Sequence, residues 1–432
     1  MSHADLWRRH QQVMPAWMSL YYEQPISLVR GSGRHVWDEE GRRYLDLFGG
    51  ILTTMTAHAL PEVVEAIRSQ AGKIVHTSTS YLIEPAIELA EMIAALAPMD
   101  DAKVFFTTSG TEANEAALLL ACTRRRSNQI LALRNSYHGR SFAAMAVTGN
   151  RGWSASSLSP LSVSYVHGGY RYRSPFGHLD DEGYIAACTD DLRNIIETTT
   201  AGDVACMIAE PIQGVGGFAI PPDGFFSSMK KVLDEYGILL VSDEVQTGWG
   251  RTGEHFWGID AHGVRPDILT FAKGIANGLP LAGVVARGDI MDSLTANSIS
   301  TFGGNPLSAA AGLANLRYLL DHDLQGNARE VGGHLLRRLH ALAEAIPAIG
   351  EVRGRGLMIG IELVEPGGDR PAPAAAAAAQ ERCRRYGVLV GRGGLYGNVL
   401  RIAPPLSITM DEAEEGLVAL REALGAEASM PA

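Results

Sequence analysis

Cysteine is scarce in this chain, and long apolar runs are absent. Only four of the 432 residues are cysteines, at positions 122, 188, 206 and 383, with no CxxC pair and no histidine at metal-ligand spacing. We therefore expect reduced thiols and no bound metal. No apolar run approaches the roughly 18–20 residues that a membrane span needs, so we expect no transmembrane segment.

Positive charge is also in the minority. The chain has 37 Lys and Arg residues against 48 Asp and Glu, which gives a formal net charge of −11. This balance repels polyanions and leaves no basic stripe, so we expect no nucleic-acid binding. Residues 1–20 lack both an apolar signal core and the Arg/Ser richness of a transit peptide. We therefore expect a soluble cytoplasmic protein.

Apolar residues, by contrast, make up 46% of the chain, and many of them lie in short runs separated by segments of helical spacing. Runs of this length that are apolar throughout are typical of strands buried on both faces. Their alternation with helices predicts an α/β fold with a mainly parallel sheet between helical layers. The runs are 103–107, 129–133, 163–166, 204–209, 238–242, 268–272 and 281–285.

Changes in pattern divide the chain into three parts. Residues 1–60 mix aromatics with turns, and residues 61–305 carry the seven apolar runs. Residues 306–432 begin with long helical patterns and continue into strand-like runs. We predict a large sheet domain, a smaller α+β C-terminal domain, and an N-terminal segment that packs with the smaller one.

Amine chemistry has few locations in a chain with five lysines. Lys273 ends an apolar run and precedes a glycine, and apolar surroundings lower a lysine pKa in the way that Schiff-base chemistry requires. Asp243 ends another run, at the sheet edge where ligands bind. The alternatives are a partly exposed strand end for the lysine and a helix cap or metal ligand for the acid. Together they match pyridoxal phosphate, which needs an amine and an anion beside its pyridine nitrogen.

A phosphate group needs a cradle of backbone donors, and one segment provides it. The stretch 107–115 follows an apolar run and opens an Ala/Leu-rich helix, so its N–H groups and hydroxyls can converge on an anion. An ordinary capping box explains one hydroxyl but not the whole cluster. Tyr137 and His138 follow the next run, where an aromatic face can stack on a planar cofactor. The candidate phosphate ligands are Ser109, Gly110 and Thr111.

One motif is misleading. The segment 214–219 fits the GxGxxA spacing of a dinucleotide-binding loop, but Pro221 and Pro222 forbid the helix that must follow it. Nicotinamide binding is therefore disfavoured. The chain also has no HExxH, Walker A or GxSxG pattern, so zinc-protease, P-loop and serine-hydrolase chemistry lack support.

Six strings occur in the order SGTEANE (109–115), YHG (137–139), EPIQG (210–214), DEVQTGWGRTG (243–253), FAKGIANGLP (271–280) and TFGGNP (301–306). Together they resemble the class III pyridoxal-phosphate aminotransferases of fold type I, over nearly the whole chain. The flanking segments, among them RGRGLMIGIEL (353–363) and LRIAPPL (400–406), are similar to the mitochondrial-type alanine–glyoxylate aminotransferase branch. The same segments are also similar to those of related phospho-lyases.

The resemblance implies a role for each matched residue. Lys273 would hold the cofactor as a Schiff base, and Asp243 would pair with its pyridinium nitrogen. Gln246 would contact the phenolic oxygen, and Tyr137 would stack on the ring. Thr301 would complete the phosphate cradle from the neighbouring subunit, which makes a homodimer the minimal unit. The residues assigned to the cofactor are Ser109, Gly110, Thr111, Tyr137, His138, Asp243, Gln246, Lys273 and Thr301.

The resemblance also implies a reaction. Glu210 and Arg401 match a substrate-side acid and a carboxylate-binding arginine. The plainer alternatives are an ion pair behind the substrate-binding residues for Glu210 and a surface strand arginine for Arg401. The implied activity is ping-pong transamination from an amino acid or ω-amine to a 2-oxo acid, pyruvate or glyoxylate, with Lys273 as general base. A phospho-lyase, decarboxylase or racemase on the same fold stays open. A non-enzymatic scaffold is disfavoured because both Lys273 and Asp243 are present.

Overall fold

A computed structural model of the chain describes residues 3–425. The strands are β1 (Leu28–Ser32), β2 (His35–Asp38), β3 (Arg43–Asp46), β4 (Ala102–Thr107), β5 (Gln129–Leu133), β6 (Ser162–Val166), β7 (Cys206–Ala209), β8 (Leu239–Asp243), β9 (Ile268–Phe271), β10 (Ala282–Arg287), β11 (Ile349–Arg355), β12 (Met358–Leu363), β13 (Val388–Leu389), β14 (Gly391–Gly393) and β15 (Val399–Ile402). The helices are α1 (His3–Val13), α2 (Gly49–Leu52), α3 (Pro61–Ala71), α4 (Glu84–Leu96), α5 (Gly110–Arg125), α6 (Phe142–Ala146), α7 (Asp181–Thr199), α8 (Phe225–Glu235), α9 (Gly288–Met291), α10 (Pro306–Asp321), α11 (Leu324–Ala345), α12 (Pro373–Arg385) and α13 (Met410–Leu424).

The largest sheet has seven strands in the order β4-β10-β9-β8-β7-β5-β6. All pairs from β9 to β6 are parallel, whereas β10 runs antiparallel to both of its neighbours. Successive residues of β8 enter different apolar clusters, Leu240 on one side and Val241 on the other. Because both faces are covered, the strands are apolar throughout. The predicted α/β fold with a mainly parallel sheet is confirmed.

Two four-stranded sheets lie outside the large one. Strands β11, β12, β15 and β14 form an antiparallel sheet, and β1, β2, β3 and β13 form the other. In the second sheet Val388 and Leu389 pair in parallel with Leu45 and Asp46, so part of the C-terminal region completes the N-terminal sheet. The domain boundaries at 60/61 and 305/306 stay predictions.

The segment Gly49–Leu52 has an unusual backbone. All four residues have positive φ, with Ile51 at 66° and Leu52 at 61°. Left-handed backbone costs roughly 1–2 kcal/mol per non-glycine residue, so surrounding contacts must hold it. The Asp46 carboxylate does so by accepting hydrogen bonds from Phe48 N (3.0 Å) and Gly49 N (2.9 Å). This turn places the residues on either side of it near the large sheet's ligand edge.

Residues 3–425 contain neither a candidate membrane span nor a candidate metal site. No helix there is both long enough and apolar enough to cross a membrane. In the same range no three His, Cys, Asp or Glu side chains are grouped so that they could hold a metal ion.

Candidate active site

A cavity of about 360 Å³ lies at the edge of the large sheet where strands β7, β8 and β9 end. Parallel α/β sheets bind ligands at this edge. Nine of the residues singled out in the sequence line it, whereas Thr301 and Arg401 do not. The nine are Ser109, Gly110, Thr111, Tyr137, His138, Glu210, Asp243, Gln246 and Lys273.

Asp243 is fixed by three donors at the end of β8. Its Oδ2 accepts from His138 Nδ1 at 2.7 Å and from Asn114 Nδ2 at 2.8 Å, and its Oδ1 accepts from Val245 N at 3.1 Å. Thr270 Oγ1 donates to Asn114 Oδ1 at 2.8 Å and thereby orients the amide. These donors fix the orientation of the Asp243 carboxylate in the cavity wall.

Lys273 follows β9 with a positive φ of 48° and begins a short 3₁₀ turn. Burial lowers the pKa of its amine to about 8, with a further lowering by the positive charge of Arg401. Two other lysines are committed to surface carboxylates, Lys103 to Asp292 and Lys230 to Asp234. Because its pKa is lowered, Lys273 has a fraction of neutral amine near physiological pH.

The amino-terminal end of α5 opens into the cavity. Ser109 caps the helix by accepting from Glu112 N at 3.2 Å, and Glu112 in turn accepts from Thr108 N at 2.8 Å. The first N–H groups, those of Gly110 and Thr111, have no acceptor within a helix. A Cβ on Gly110 would lie 3.2 Å from the Val245 methyl carbons, so glycine keeps this backbone close to the cavity. The arrangement suits a phosphate group.

Two buried polar atoms in the cavity wall lack hydrogen-bond partners among the described residues, Gln246 Oε1 and His138 Nε2. Such atoms carry a desolvation cost unless a ligand or water satisfies them. The ring of Tyr137 lies nearby, in an edge contact with Trp153 at 5.4 Å between ring centroids. A planar ligand with polar substituents on its ring would satisfy the orphaned atoms and contact the aromatic face.

Glu210 and Arg401 are both buried, and both contact Gly214. Glu210 accepts from Tyr137 N at 2.9 Å and from Gly214 N at 2.8 Å, and burial raises its pKa. Arg401 donates to Gly214 O at 3.2 Å and lies over the Phe48 ring at 4.8 Å. Its other polar contacts are Arg392 O and the Tyr21 side chain, none of the ion pairs among residues 3–425 involves it, and its Nε has no partner. A buried guanidinium without a counter-ion is costly, and a substrate carboxylate would remove that cost.

Thr301 lies outside the cavity and is exposed. Its neighbour Ser300 donates to Glu112 Oε1 at 2.7 Å, which joins this segment to the start of α5. The sequence reasoning missed Thr53, Thr108 and Asn114, which also line the cavity. A signal existed for Asn114, because it lies four residues after Gly110 and so on the same helix face. Thr53 gave none, because its position depends on the left-handed turn before it.

The unpartnered atoms decide which ligand fits. The open end of α5 calls for a phosphate, the orphaned Gln246 amide for a ring oxygen, and the fixed Asp243 charge for a protonated ring nitrogen, all within reach of one lysine amine. Pyridoxal phosphate carries these groups together. With the seven-stranded sheet and its single antiparallel strand β10, the site defines a pyridoxal-phosphate enzyme of fold type I.

Comparison with known proteins narrows this class. Residues 19–424 match the family described as aminotransferase class-III. Alanine–glyoxylate aminotransferase 2 homolog 2 of Arabidopsis thaliana is 42% identical over 412 residues, covering 94% of this chain and 84% of that protein. An (S)-enantioselective ω-transaminase from Thermomicrobium roseum has a TM-score of 0.91 at 34% identity, with 98% of each chain covered. A phospholyase from Arthrobacter, in complex with phosphoethanolamine, has a TM-score of 0.89 at 33% identity and covers 99% of this chain and 100% of its own.

The chain belongs to the class III aminotransferases. It is an aminotransferase, and its cofactor is pyridoxal phosphate. The family, fold, activity class and cofactor implied by the sequence strings are thus confirmed. The role of each site residue stays a prediction.

Proposed function

We propose that this enzyme transfers the amino group of an amino acid or ω-amine to pyruvate or glyoxylate in two half-reactions that share one cavity. The observation that carries the proposal is Arg401, a buried guanidinium with no anionic partner among the described residues. Its charge also acts on Lys273, so it lies close to the reacting amine. A guanidinium binds a carboxylate through two parallel hydrogen bonds, which is the contact that an oxo acid requires.

The cavity residues divide the chemistry among them. Bound pyridoxal phosphate supplies an electron sink for the substrate carbon. Lys273 Nζ takes the proton from that carbon and returns it, which a pKa near 8 permits. Asp243 keeps a negative charge opposite the ring nitrogen. Tyr137 and His138 pack on the ring and Gln246 binds its oxygen, while the phosphate is held by Ser109, Gly110 and Thr111.

Glu210 gives the cavity a removable counter-ion. Glu210 and Arg401 are not paired with each other here, although both bind Gly214. When an amine donor brings no carboxylate, Glu210 moves to Arg401 and neutralises it. When the oxo acid arrives, Glu210 returns to the backbone amides of Tyr137 and Gly214.

A homodimer completes the phosphate cradle through Thr301. The surface around it is apolar, with Ile299 65%, Phe302 59% and Val75 51% exposed. The segment that contains Val75 lies beside the segment that contains Thr301 and Phe302, because Asn305 Nδ2 donates to Val75 O at 2.9 Å. Exposed apolar side chains gathered in this way favour an interface with a second copy of the chain. The cytoplasmic location expected from the sequence also stays a prediction.

The similarity to a phospholyase keeps a lyase reaction as the second candidate. Amino donors should be incubated with pyruvate, glyoxylate or 2-oxoglutarate and all products identified. Transamination requires equal amounts of new amino acid and new oxo compound, with pyruvate or glyoxylate preferred. Release of inorganic phosphate from phosphoethanolamine without acceptor consumption would instead identify a lyase.

The roles of Arg401 and Glu210 need separate measurement of the half-reactions. Arg401→Ala should weaken the oxo-acid half by about 2–5 kcal/mol in transition-state binding, because a buried charged contact is lost. Glu210→Ala should harm mainly donors without a second carboxylate. Equal damage to both halves by Arg401→Ala would mean that this residue supports the fold or the cofactor and does not read the substrate.

A further inference from the structure

One loop, Gly214–Phe218, contacts both Glu210 and Arg401. Gly214 N donates to Glu210 Oε2 at 2.8 Å, and Gly214 O accepts from Arg401 Nη1 at 3.2 Å. The Phe218 ring lies 5.6 Å from the Arg401 guanidinium carbon. The loop therefore bears most directly on the position of Arg401, because Glu210 has a second anchor in the N–H group of Tyr137.

The loop needs support from outside. Gly217 has φ 94°, and the buried Phe218 has φ 55°, a left-handed conformation that L side chains rarely adopt. A Cβ on Gly217 would lie 2.9 Å from Val399 Cγ2, so the loop is pressed closely against β15. Strained backbone of this kind persists only where neighbouring groups hold it in place.

Arg353 on β11 supplies that support. Its Nε and Nη2 both donate to Gly217 O, at 3.0 and 2.8 Å, and its Nη1 donates to Glu362 Oε2 at 2.8 Å. Arg353 is 8% exposed and Glu362 is fully buried. Two parallel N–H donors fix both the position and the direction of one carbonyl, which a lysine ammonium cannot do.

Glu362 is itself hydrogen-bonded by residues that follow a strand of the large sheet. It accepts from Tyr170 OH at 2.6 Å and from Arg173 Nε at 2.9 Å, both in the segment after β6. Its strand β12 lies between β11 and β15, with Gly360 paired to both Arg353 and Arg401. The carboxylate thus ties Arg353 to the segment that follows β6.

We propose that Arg353 and Glu362 form a positioning pair, which sets the geometry of Arg401 through the carbonyl of Gly217. The inference rests on the proposed function, because it assumes that Arg401 reads the substrate carboxylate. Neither residue of the pair lines the cavity. A buried ion pair adds little net stability over apolar packing, so its value lies in the orientation that it imposes.

The test uses the holoenzyme and two substrates. Arg353→Lys keeps the charge but loses the double bond to Gly217 O. It should raise KM for pyruvate about tenfold or more, since small misplacements of a binding group are costly. The half-reaction with the fastest primary amine that lacks an α-carboxylate should stay within about twofold of wild type. Arg355→Lys is the matched control, because Arg355 lies on the same strand and pairs with the exposed Asp223.

Glu362→Gln serves as a second variant and should give the same split in smaller degree, with an unchanged cofactor spectrum. Equal loss in both half-reactions, or a fall in melting temperature without a KM change, would overturn the proposal. Arg401→Ala is measured alongside. If Arg401→Ala separates the two halves and Arg353→Lys does not, only the positioning role is wrong. If Arg401→Ala does not separate them, the proposed function is wrong as well.

Discussion

The two ends of the cavity are built differently. At the cofactor end, the carboxylate of Asp243 is held mainly by two side chains, His138 in the loop after β5 and Asn114 on helix α5. At the substrate end, Glu210 and Arg401 follow or lie on strands of two different sheets and are held mainly by backbone groups, among them the N–H and the carbonyl of Gly214. The side-chain network around Asp243 fixes one geometry. The backbone contacts of Glu210 and Arg401 leave their charged groups free to exchange partners.

The charged groups at the two ends also differ in how many partners they have before a ligand binds. Asp243 already accepts three hydrogen bonds, so its carboxylate is stabilised before any ligand binds. Arg401 has no counter-ion among residues 3–425, and burial raises the pKa of Glu210. An enzyme that must hold one cofactor and accept two substrates needs this division. The predictions below test each end in turn.

Lys273→Ala should have the largest effect. Loss of the amine removes both the covalent anchor and the group that moves the proton, so turnover should fall on the order of 10⁴-fold. Borohydride treatment of the wild-type holoenzyme should fix the cofactor on the Lys273 peptide, found by mass spectrometry. Lys230→Ala, which removes a surface partner of Asp234, is the control and should keep full activity. Label on any other lysine would contradict the assignment.

Asp243→Asn tests the fixed charge at the cofactor end. The side chain keeps its size, but the anion opposite the ring nitrogen is gone, so kcat should fall roughly 10²–10³-fold. Asp267→Asn is a matched control, because Asp267 sits on the opposite edge of the same sheet and accepts from Leu240 N at 2.9 Å. It should change stability and spare kcat. Near-normal turnover in Asp243→Asn would leave this residue a purely structural role.

Asn114→Ala tests whether the network around Asp243 acts as a unit. The change removes one donor from Asp243 and leaves Thr270 Oγ1 without its acceptor. An unsatisfied buried group costs about 1–3 kcal/mol, so the melting temperature should fall and kcat should drop roughly tenfold. The exposed helical Asn194, changed to Ala, should alter neither. An unaffected kcat with a lowered melting temperature would show that His138 and the N–H group of Val245 suffice to hold Asp243.

The sequence predicted the large sheet well and the substrate end poorly, for a physical reason. An apolar run such as Gln129–Leu133 records burial on both faces, so its strand could be located without a structure. The antiparallel direction of β10 produces no pattern in the amino-acid sequence, so it could not be predicted. The cofactor residues lie in short sequence strings at strand ends, so they could be recognised from the sequence alone. The loop Gly214–Phe218 looked only like a failed dinucleotide motif, because its partner Arg353 is more than a hundred residues away in sequence.

The smallest predicted effect links the two ends directly. The positive charge of Arg401 lowers the pKa of Lys273, but burial is the larger cause, so Arg401→Met should raise that pKa by less than about one pH unit. In the wild-type apoenzyme the Lys273 amine becomes neutral as pH rises through about 8, and in the variant this transition should move to higher pH. Glu210→Gln should move it the other way, because the negative charge of Glu210 raises the same pKa. The measurement is competitive labelling of the apoenzyme with an amine-reactive reagent across pH. The exposed Lys231 serves as internal reference. Shifts of the same sign in both variants would mean that these charges act on Lys273 through a change in structure and not through their field.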